Sequence, residues 1–172
     1  MENFVWEKKY ADHCTSEPPK SREGLSICHS KQYGILLFGG VNENQYNDLW
    51  QFNLEKNAWK LLETSGNKPC ARCYQVIFFD NPYLFVFGGI NDTQTTLNDF
   101  WILDLEHLKW KRIFQLDPPL SRSCHAVCNG EFEKNKFIYG GYNSQKNKVL
   151  DDLWLVDYQN LVFNRGLIEI PG

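Results

Sequence analysis

A short motif recurs three times at nearly constant spacing, and this repeat constrains the fold more than any other feature of the chain. An apolar run ends in two glycines at residues 33–40 (YGILLFGG), 83–89 (YLFVFGG) and 136–141 (KFIYGG). The first glycines of the three pairs lie 49 and 52 residues apart. A repeat of about 50 residues is typical of propeller blades and of other arrays in which each unit packs on the next.

Other residues keep the same register in each unit. An aspartate stands two residues before a tryptophan, and a second large aromatic follows that tryptophan nine residues later. An arginine precedes the first glycine by 16 to 18 residues. We interpret these positions as a structural repeat made of Gly39, Gly40, Asp48, Trp50, Trp59 and Arg22 in the first unit; Gly88, Gly89, Asp99, Trp101, Trp110 and Arg72 in the second; and Gly140, Gly141, Asp152, Trp154, Phe163 and Arg122 in the third.

Each unit predicts four short β-strands and no helix. In the middle unit the strands are residues 71–79, 83–87, 99–105 and 110–114, which are rich in aromatic and β-branched side chains. The glycines are expected to end the second strand, where an unusual backbone angle or a close approach needs a residue without a Cβ. In the third unit Asn129-Gly130 predicts a hairpin turn.

We therefore predict an all-β fold, a single domain over residues 1–172 with three four-stranded propeller blades at about 21–63, 71–115 and 121–170. Residues 4–10 (FVWEKKY) predict the outer strand of a preceding blade. A small sheet cannot bury both faces alone, so the tryptophans are expected to fill the space between blades. Since a propeller closes with at least four blades, the arc stays open. Three alternatives follow: part of a longer propeller, a homodimer that forms a six-bladed ring, or an arc capped by its termini or by a partner.

The paired glycines, the NDLW-type tetrads, the second aromatic and the Pro-to-Arg linker resemble the kelch-repeat family over residues 21–163. The resemblance implies a kelch-type β-propeller that acts as a protein-binding platform. It also leaves an alternative, because some kelch propellers are lyases, sugar isomerases or copper oxidases with a catalytic site at the propeller centre. We favour a non-catalytic protein–protein interaction module and expect no enzymatic activity and no cofactor.

The segments after the glycine pairs, residues 41–47, 90–98 and 142–150, vary in sequence while their frame is fixed, as in a scaffold that presents a variable binding surface. They are rich in Asn and Gln, and their tyrosines are candidate anchors. For the linker arginines we rank a structural role first, pairing with carbonyls or with the acidic residue of the neighbouring blade. The candidate partner-binding residues are Asn42, Glu43, Asn44, Tyr46, Asn91, Asp92, Gln94, Tyr142, Asn143, Gln145, Lys146, Arg22, Arg72 and Arg122.

Composition argues against several other functions. The formal net charge is only −3, so we predict a protein partner and no nucleic acid. No apolar run is long enough to span a membrane, and the first residues lack an apolar stretch of signal-peptide length. Six cysteines are too sparse for a disulfide framework, which favours a cytoplasmic protein with free thiols.

A zinc site is the one metal centre that the cysteines suggest. Cys70, Cys73, Cys124, His125 and Cys128 are of the right residue types. Their spacing does not match a zinc ribbon, and we expect them on the first strands of two successive blades. We therefore predict no metal, and we interpret Asp48, Asp99 and Asp152 as hydrogen-bond acceptors that fix turns.

Overall fold

The computed structural model describes residues 6–8, 17–115, 117–130, 135–157 and 162–165, the last four by their backbone alone. Every regular element in these residues is a β-strand. Three sheets each contain four antiparallel strands in chain order; one of these sheets has a short fifth, parallel strand, and two further strands form a separate hairpin. The all-β architecture of consecutive blades is therefore confirmed. Within the described ranges no helix is long and apolar enough to cross a membrane.

Blade 1 is a simple meander. Its strands are β1 (Ser26–Ser30), β2 (Gly34–Phe38), β3 (Leu49–Asn53) and β4 (Ala58–Leu61), paired in the order β1-β2-β3-β4. Its first strand, β1, contacts the first strand of blade 2.

Blade 2 has the same order and one short addition. Its strands are β6 (Val76–Asp80), β7 (Tyr83–Phe87), β8 (Phe100–Asp104) and β9 (Lys109–Ile113), and the two-residue β5 (Ser65–Gly66) pairs in parallel with β9. The prediction for the first strand is wrong at its start, since β6 begins at Val76 and not at residue 71. Residues 71–75 instead form the linker that docks on blade 1.

Blade 3 contains β10 (Ala126–Asn129), β11 (Asn135–Tyr139), β14 (Leu153–Asp157) and β15 (Val162–Arg165). A small hairpin, β12 (Tyr142–Asn143) with β13 (Lys148–Val149), lies inside the segment predicted to be a plain loop. Asn129 pairs with Lys136, and the N–H of Gly130 donates to the carbonyl of Asn135. The connection is therefore longer than the two-residue turn that Asn129-Gly130 predicts.

The N-terminal prediction does not hold in its described part. Residues 6–8 form no strand, and Trp6 is 99% exposed. The other residues of the predicted strand 4–10 lie outside the described residues. The side chain of Phe163, the second aromatic of the third unit, is also outside them.

The apolar core lies between the blades and not within any one of them. One cluster joins Leu36 and Phe38 of blade 1 to Ile77, Val86 and Trp101 of blade 2. A second cluster joins the opposite side of blade 2, from Phe78, Phe85 and Phe87, to Ile138 and Val156 of blade 3. Trp110 lies in the first cluster and Trp154 packs on the second, as expected for aromatics that fill the space between blades.

Candidate protein-binding face

The first two glycine pairs form the sites at which the linker of the next blade docks. Gly39 and Gly40 have φ values of 69° and 99°, in the left-handed region that favours glycine. A Cβ at Gly39 would lie 2.7 Å from the carbonyl oxygen of Arg72, and one at Gly88 would lie 2.7 Å from that of Arg122. The pairs therefore combine the unusual backbone angle with the close approach that the sequence predicted.

The linker arginine, the repeated aspartate and the repeated tryptophan form one buried unit in every blade. In blade 2 the guanidinium of Arg72 donates to both carboxylate oxygens of Asp99, at 2.6 and 2.8 Å, and to the carbonyl of Gly88 at 3.0 Å. The indole N–H of Trp101 donates to the same carboxylate at 2.6 Å. The equivalent ion pairs are Arg22–Asp48 at 2.6 Å and Arg122–Asp152 at 2.7 Å.

Burial and the neighbouring positive charge shift the pKa of these carboxyl groups in opposite directions. Burial alone would raise the pKa of Asp99, but the hydrogen bonds and positive charge of Arg72 hold it below its usual value. The pKa of Asp152 is lowered in the same way by Arg122 and by the Trp154 indole. Asp99 and Asp152 are thus ionised acceptors inside their blades.

Two details of the sequence interpretation need correction. The arginines bind an aspartate of their own blade and not of the neighbouring blade. The aspartates accept hydrogen bonds from an arginine and a tryptophan and do not act by fixing a turn. The side chains of Arg22, Arg72 and Arg122 are 2%, 0% and 0% exposed, so they lie inside the blades, and their contact with a partner stays a prediction.

The three loops lie at the same end of the blades and are held by internal hydrogen bonds. Loops 90–98 and 142–150 are joined side by side through Thr96, whose N–H donates to the Ser144 hydroxyl at 3.0 Å and whose carbonyl accepts from the Gln145 amide at 2.9 Å. Loop 41–47 is fixed to the next linker, because the N–H of Arg72 donates to the carbonyl of Tyr46 at 3.0 Å. The loops therefore form one ordered surface.

The predicted partner-binding residues divide into exposed and internal groups. Tyr46 lies under the Arg22 guanidinium, Asn91 accepts bonds within its own loop, Tyr142 donates to Asn147, and Asn143 is buried and donates to Ser121. Partner contact stays a prediction for both groups. The exposed residues are Asn42, Glu43, Asn44, Asp92, Gln94, Gln145 and Lys146.

A depression of about 440 Å³ opens between the loops near the propeller axis. Its lining includes Gln45, Tyr74, Gln94, Cys124 and Tyr142. The sequence did not assign Tyr74 or Cys124 to this face. These two residues and Gly24 occupy the second position after the linker arginine, and their φ values are 56°, 55° and 61°. A glycine at this position in the first unit was the one available signal.

A larger cavity of about 810 Å³ lies at the other end of the axis, where the strands β1, β6 and β10 line it. Its walls include Cys28, Phe79, Cys128 and Lys136. Burial raises the pKa of the Cys28 thiol to about 12, so this thiol stays protonated.

The proposed zinc ligands are not gathered in the structure. Cys70 and Cys73 precede β6, Cys124 and His125 precede β10, and only Cys128 lies on a strand, so the placement of this set on first strands is wrong for four of the five. Burial, with the positive charge of Arg122, lowers the pKa of His125 to about 3. In the described part of the chain the one compact group of possible ligands is Asp104, Glu106 and His107, where Asp104 accepts hydrogen bonds from both neighbours and caps the β8–β9 turn.

The fold is that of a β-propeller built from tandem repeats. Its blades repeat in chain order, each internal boundary is formed at a glycine pair, and the loops lie on one face. The chain belongs to the kelch-repeat family: the model of the KLHDC2/KLHL20/DRC7 Kelch-repeats domain matches residues 1–169.

Similar proteins carry this region within longer chains. Acyl-CoA-binding domain-containing protein 5 of Arabidopsis thaliana is 33% identical over 96% of the chain, and Kelch domain-containing protein 10 of Rattus norvegicus is 29% identical over 91%. The chain spans 26% and 40% of the length of these two relatives. The solved structure of YjhT superposes on 87% of the chain with a TM-score of 0.71 at 16% identity, and the match spans 53% of YjhT, which supports the fold.

Proposed function

We propose that the chain is a non-catalytic interaction module of the cytoplasm, whose loop face binds a protein partner. The observation that carries the proposal is the joined surface of loops 41–47, 90–98 and 142–150, which the buried Arg–Asp–Trp units hold in place from below. Ordered loops on a rigid frame lose little conformational entropy on binding, which favours affinity.

The chemistry of this face suits a polar protein surface. Its exposed side chains are amides, with the acidic Glu43 and Asp92 on blades 1 and 2 and the basic Lys146 and Lys148 on blade 3. Complementary charge on a partner would therefore set its orientation. The axial depression adds Tyr74 and Tyr142, and tyrosine is enriched at protein interfaces. This amide-rich and aromatic lining favours binding over the enzymatic alternative.

The test compares two variants with the same change in net charge. The loop variant carries Glu43→Lys, Asp92→Lys and Lys146→Glu, and the control carries Glu55→Lys, which lies in the β3–β4 turn at the opposite end of blade 1. Proteins retained from cell extract by the unmodified chain are identified, purified and measured for direct binding.

We expect a partner whose dissociation constant is the same for the unmodified chain and the control but at least about ten-fold higher for the loop variant. Equal binding by all three proteins would contradict the proposal, as would a loss confined to the control. The prediction of a homodimer or a longer propeller concerns the open blade faces and is tested separately from the loops.

A further inference from the structure

The backbone contacts that join one blade to the next are the same at both internal boundaries. Between blades 1 and 2, Gly40 N–H donates to the Arg72 carbonyl at 2.9 Å, Arg72 N–H to the Tyr46 carbonyl at 3.0 Å, and Tyr74 N–H to the Gly24 carbonyl at 2.7 Å. The equivalent bonds between blades 2 and 3 are Gly89 N–H to Arg122 O at 2.8 Å, Arg122 N–H to Leu97 O at 2.9 Å, and Cys124 N–H to Tyr74 O at 3.0 Å.

The outer side of blade 3 presents the receiving half of this contact. The matching groups are the N–H of Gly141 and the carbonyls of Leu150 and Cys124, and within the described part of the chain no hydrogen bond reaches them. Tyr139 occupies the position of Phe38 and Phe87, which are fully buried by the next blade, yet Tyr139 is 52% exposed.

The outer side of blade 1 presents the inserting half. The matching groups are the N–H and carbonyl of Arg22 and the N–H of Gly24, and no backbone hydrogen bond from another described residue reaches them. Ile27 occupies the position of Ile77, which is 4% exposed in the first core cluster, yet Ile27 is 59% exposed.

We propose that a second copy of this chain joins these two halves, so that blade 1 of each copy docks on blade 3 of the other. Each backbone donor of one half then faces the same acceptor group as at the internal boundaries. The side chains of Tyr139 and Ile27 become buried, as those of Phe87 and Ile77 are at the internal boundaries. Two copies give six blades, within the range of four to eight at which propellers close. The two contacts are related by a two-fold axis and leave neither blade face open.

One element of the internal boundaries is missing from this contact. At the first boundary the amide of Gln75 donates to the carbonyl of Phe38 at 2.8 Å. Blade 1 has Leu25 at the corresponding position, so the carbonyl of Tyr139 gains no such bond from the second copy. The Leu25→Gln substitution supplies the donor and is expected to lower the dissociation constant of the dimer about five-fold.

Light scattering after gel filtration, over a range of micromolar concentrations, tests the proposal with the full chain. We expect the unmodified chain to reach twice its mass of 20.2 kDa and Leu25→Gln to do so at lower concentration. Tyr139→Lys alone and Ile27→Glu alone are expected to stay monomeric. The matched control Phe114→Lys also replaces an exposed aromatic, but on blade 2 away from both open faces, and it should still dimerise.

Mixing the two single variants separates a lost contact from a lost fold. Phe38 and Ile77 lie in one cluster, so the lysine introduced at position 139 of one variant would meet the glutamate introduced at position 27 of the other, while the second boundary stays unmodified. The mixture is therefore expected to recover the dimer. A monomer at every concentration, open-ended aggregates, a dimer that resists Tyr139→Lys, or no recovery on mixing would overturn the proposal. None of these outcomes bears on the loop-face partner, which is measured by other variants.

Discussion

For single residues, the repeat depends on the neutralisation of a buried arginine by an aspartate in each blade. The guanidinium of Arg72 is surrounded by the Asp99 carboxylate and the carbonyls of Gly88 and Cys70, and its side chain is fully buried. Removing one partner from a buried pair leaves an uncompensated charge, which costs far more than the pair itself contributes. The three Arg–Asp–Trp units are therefore sensitive points of the fold.

The Asp99→Asn substitution tests this sensitivity. The amide keeps the shape of the carboxylate but leaves the charge of Arg72 without its counterion, so we expect a loss of about 3 kcal/mol in the free energy of unfolding. Urea denaturation measures the change. Asp92→Asn, in an exposed loop, is the control and should stay within about 0.5 kcal/mol of the parent. A similar small effect for Asp99→Asn would refute the assignment.

His125 is expected to make stability depend on pH. Its folded-state pKa of about 3 lies below the ordinary histidine value of 6.5, so the unfolded chain takes up the proton first as the pH falls. This contribution to stability is complete above pH 6.5 and is lost as the pH falls toward 3. Between pH 7 and pH 5 the loss amounts to about 2 kcal/mol.

The variant His125→Gln carries the residue that blade 2 has at this position and does not titrate. We expect its free energy of unfolding to change less than that of the parent over this pH interval, as measured by urea denaturation at each pH. Parallel curves for the two proteins would show that another group controls the dependence.

At the scale of the elements, the end of the second strand of each blade is determined by what the next blade needs. Gly88 ends β7 with a φ of 66°, and a side chain there would strike the carbonyl of Arg122 at 2.7 Å. Gly140 has the same φ of 66°, but a Cβ at this position meets only the Leu150 carbonyl, at 3.2 Å. The two glycines therefore have the same backbone conformation, but only Gly88 lies against the linker of a following blade.

Comparing Gly88→Ala with Gly140→Ala isolates that contact. Both variants lose stability from an alanine in the left-handed region, which costs about 1 kcal/mol. Gly88→Ala must also displace the linker of blade 3, and we expect it to be less stable than Gly140→Ala by about 2 kcal/mol. Thermal and urea unfolding at low protein concentration measure the difference, and equal losses would mean that the boundary adjusts freely.

At the scale of the whole molecule, stability comes from the packing between blades. Leu84, Val86 and Leu103 of blade 2 are fully buried, and they are covered by blade 1. A single blade has no enclosed core of its own, so the blades behave as coupled repeats whose neighbours supply the burial.

Trp101→Ala tests this coupling. The side chain is 7% exposed in the cluster between blades 1 and 2, so its truncation should cost about 3–5 kcal/mol in the free energy of unfolding. Trp6→Ala removes the same side chain from a 99% exposed site and should change little. If Trp101→Ala melts like the parent, the tryptophans do not hold the blades together.

The sequence predicted the blades well and their boundaries less well. The strand at residues 83–87 was placed correctly because a short apolar run between a turn and two glycines has one reasonable interpretation. The strand at 71–79 was placed too early, because no glycine or proline separates residues 71–75 from the run that follows, yet these residues use their hydrogen bonds on the neighbouring blade. Local pattern does not distinguish a strand from a linker that pairs at a distance.

The candidate face was predicted from its three loops, but the hydrogen bonds that join two of these loops were not predicted. Thr96, Ser144 and Gln145 carried no signal in the repeat register, yet they join two loops that are some 50 residues apart in the chain. Tyr74 and Cys124 were missed because their left-handed backbone is imposed by the axial hydrogen bonds from one linker to the next.

The repeated unit could be derived from the amino-acid pattern alone: its length, its four strands, its glycine pairs and its repeated Arg, Asp and Trp. These follow from local geometry and from apolar patterning, which are properties of each segment and are repeated whenever the segment is repeated. The folded chain was needed to show which carboxylate each arginine binds, which amides are exposed, and which backbone donors on blades 1 and 3 have no acceptor among the described residues. Those depend on the packing of one blade against the next, because a hydrogen bond between segments distant in the chain exists only once both are in place.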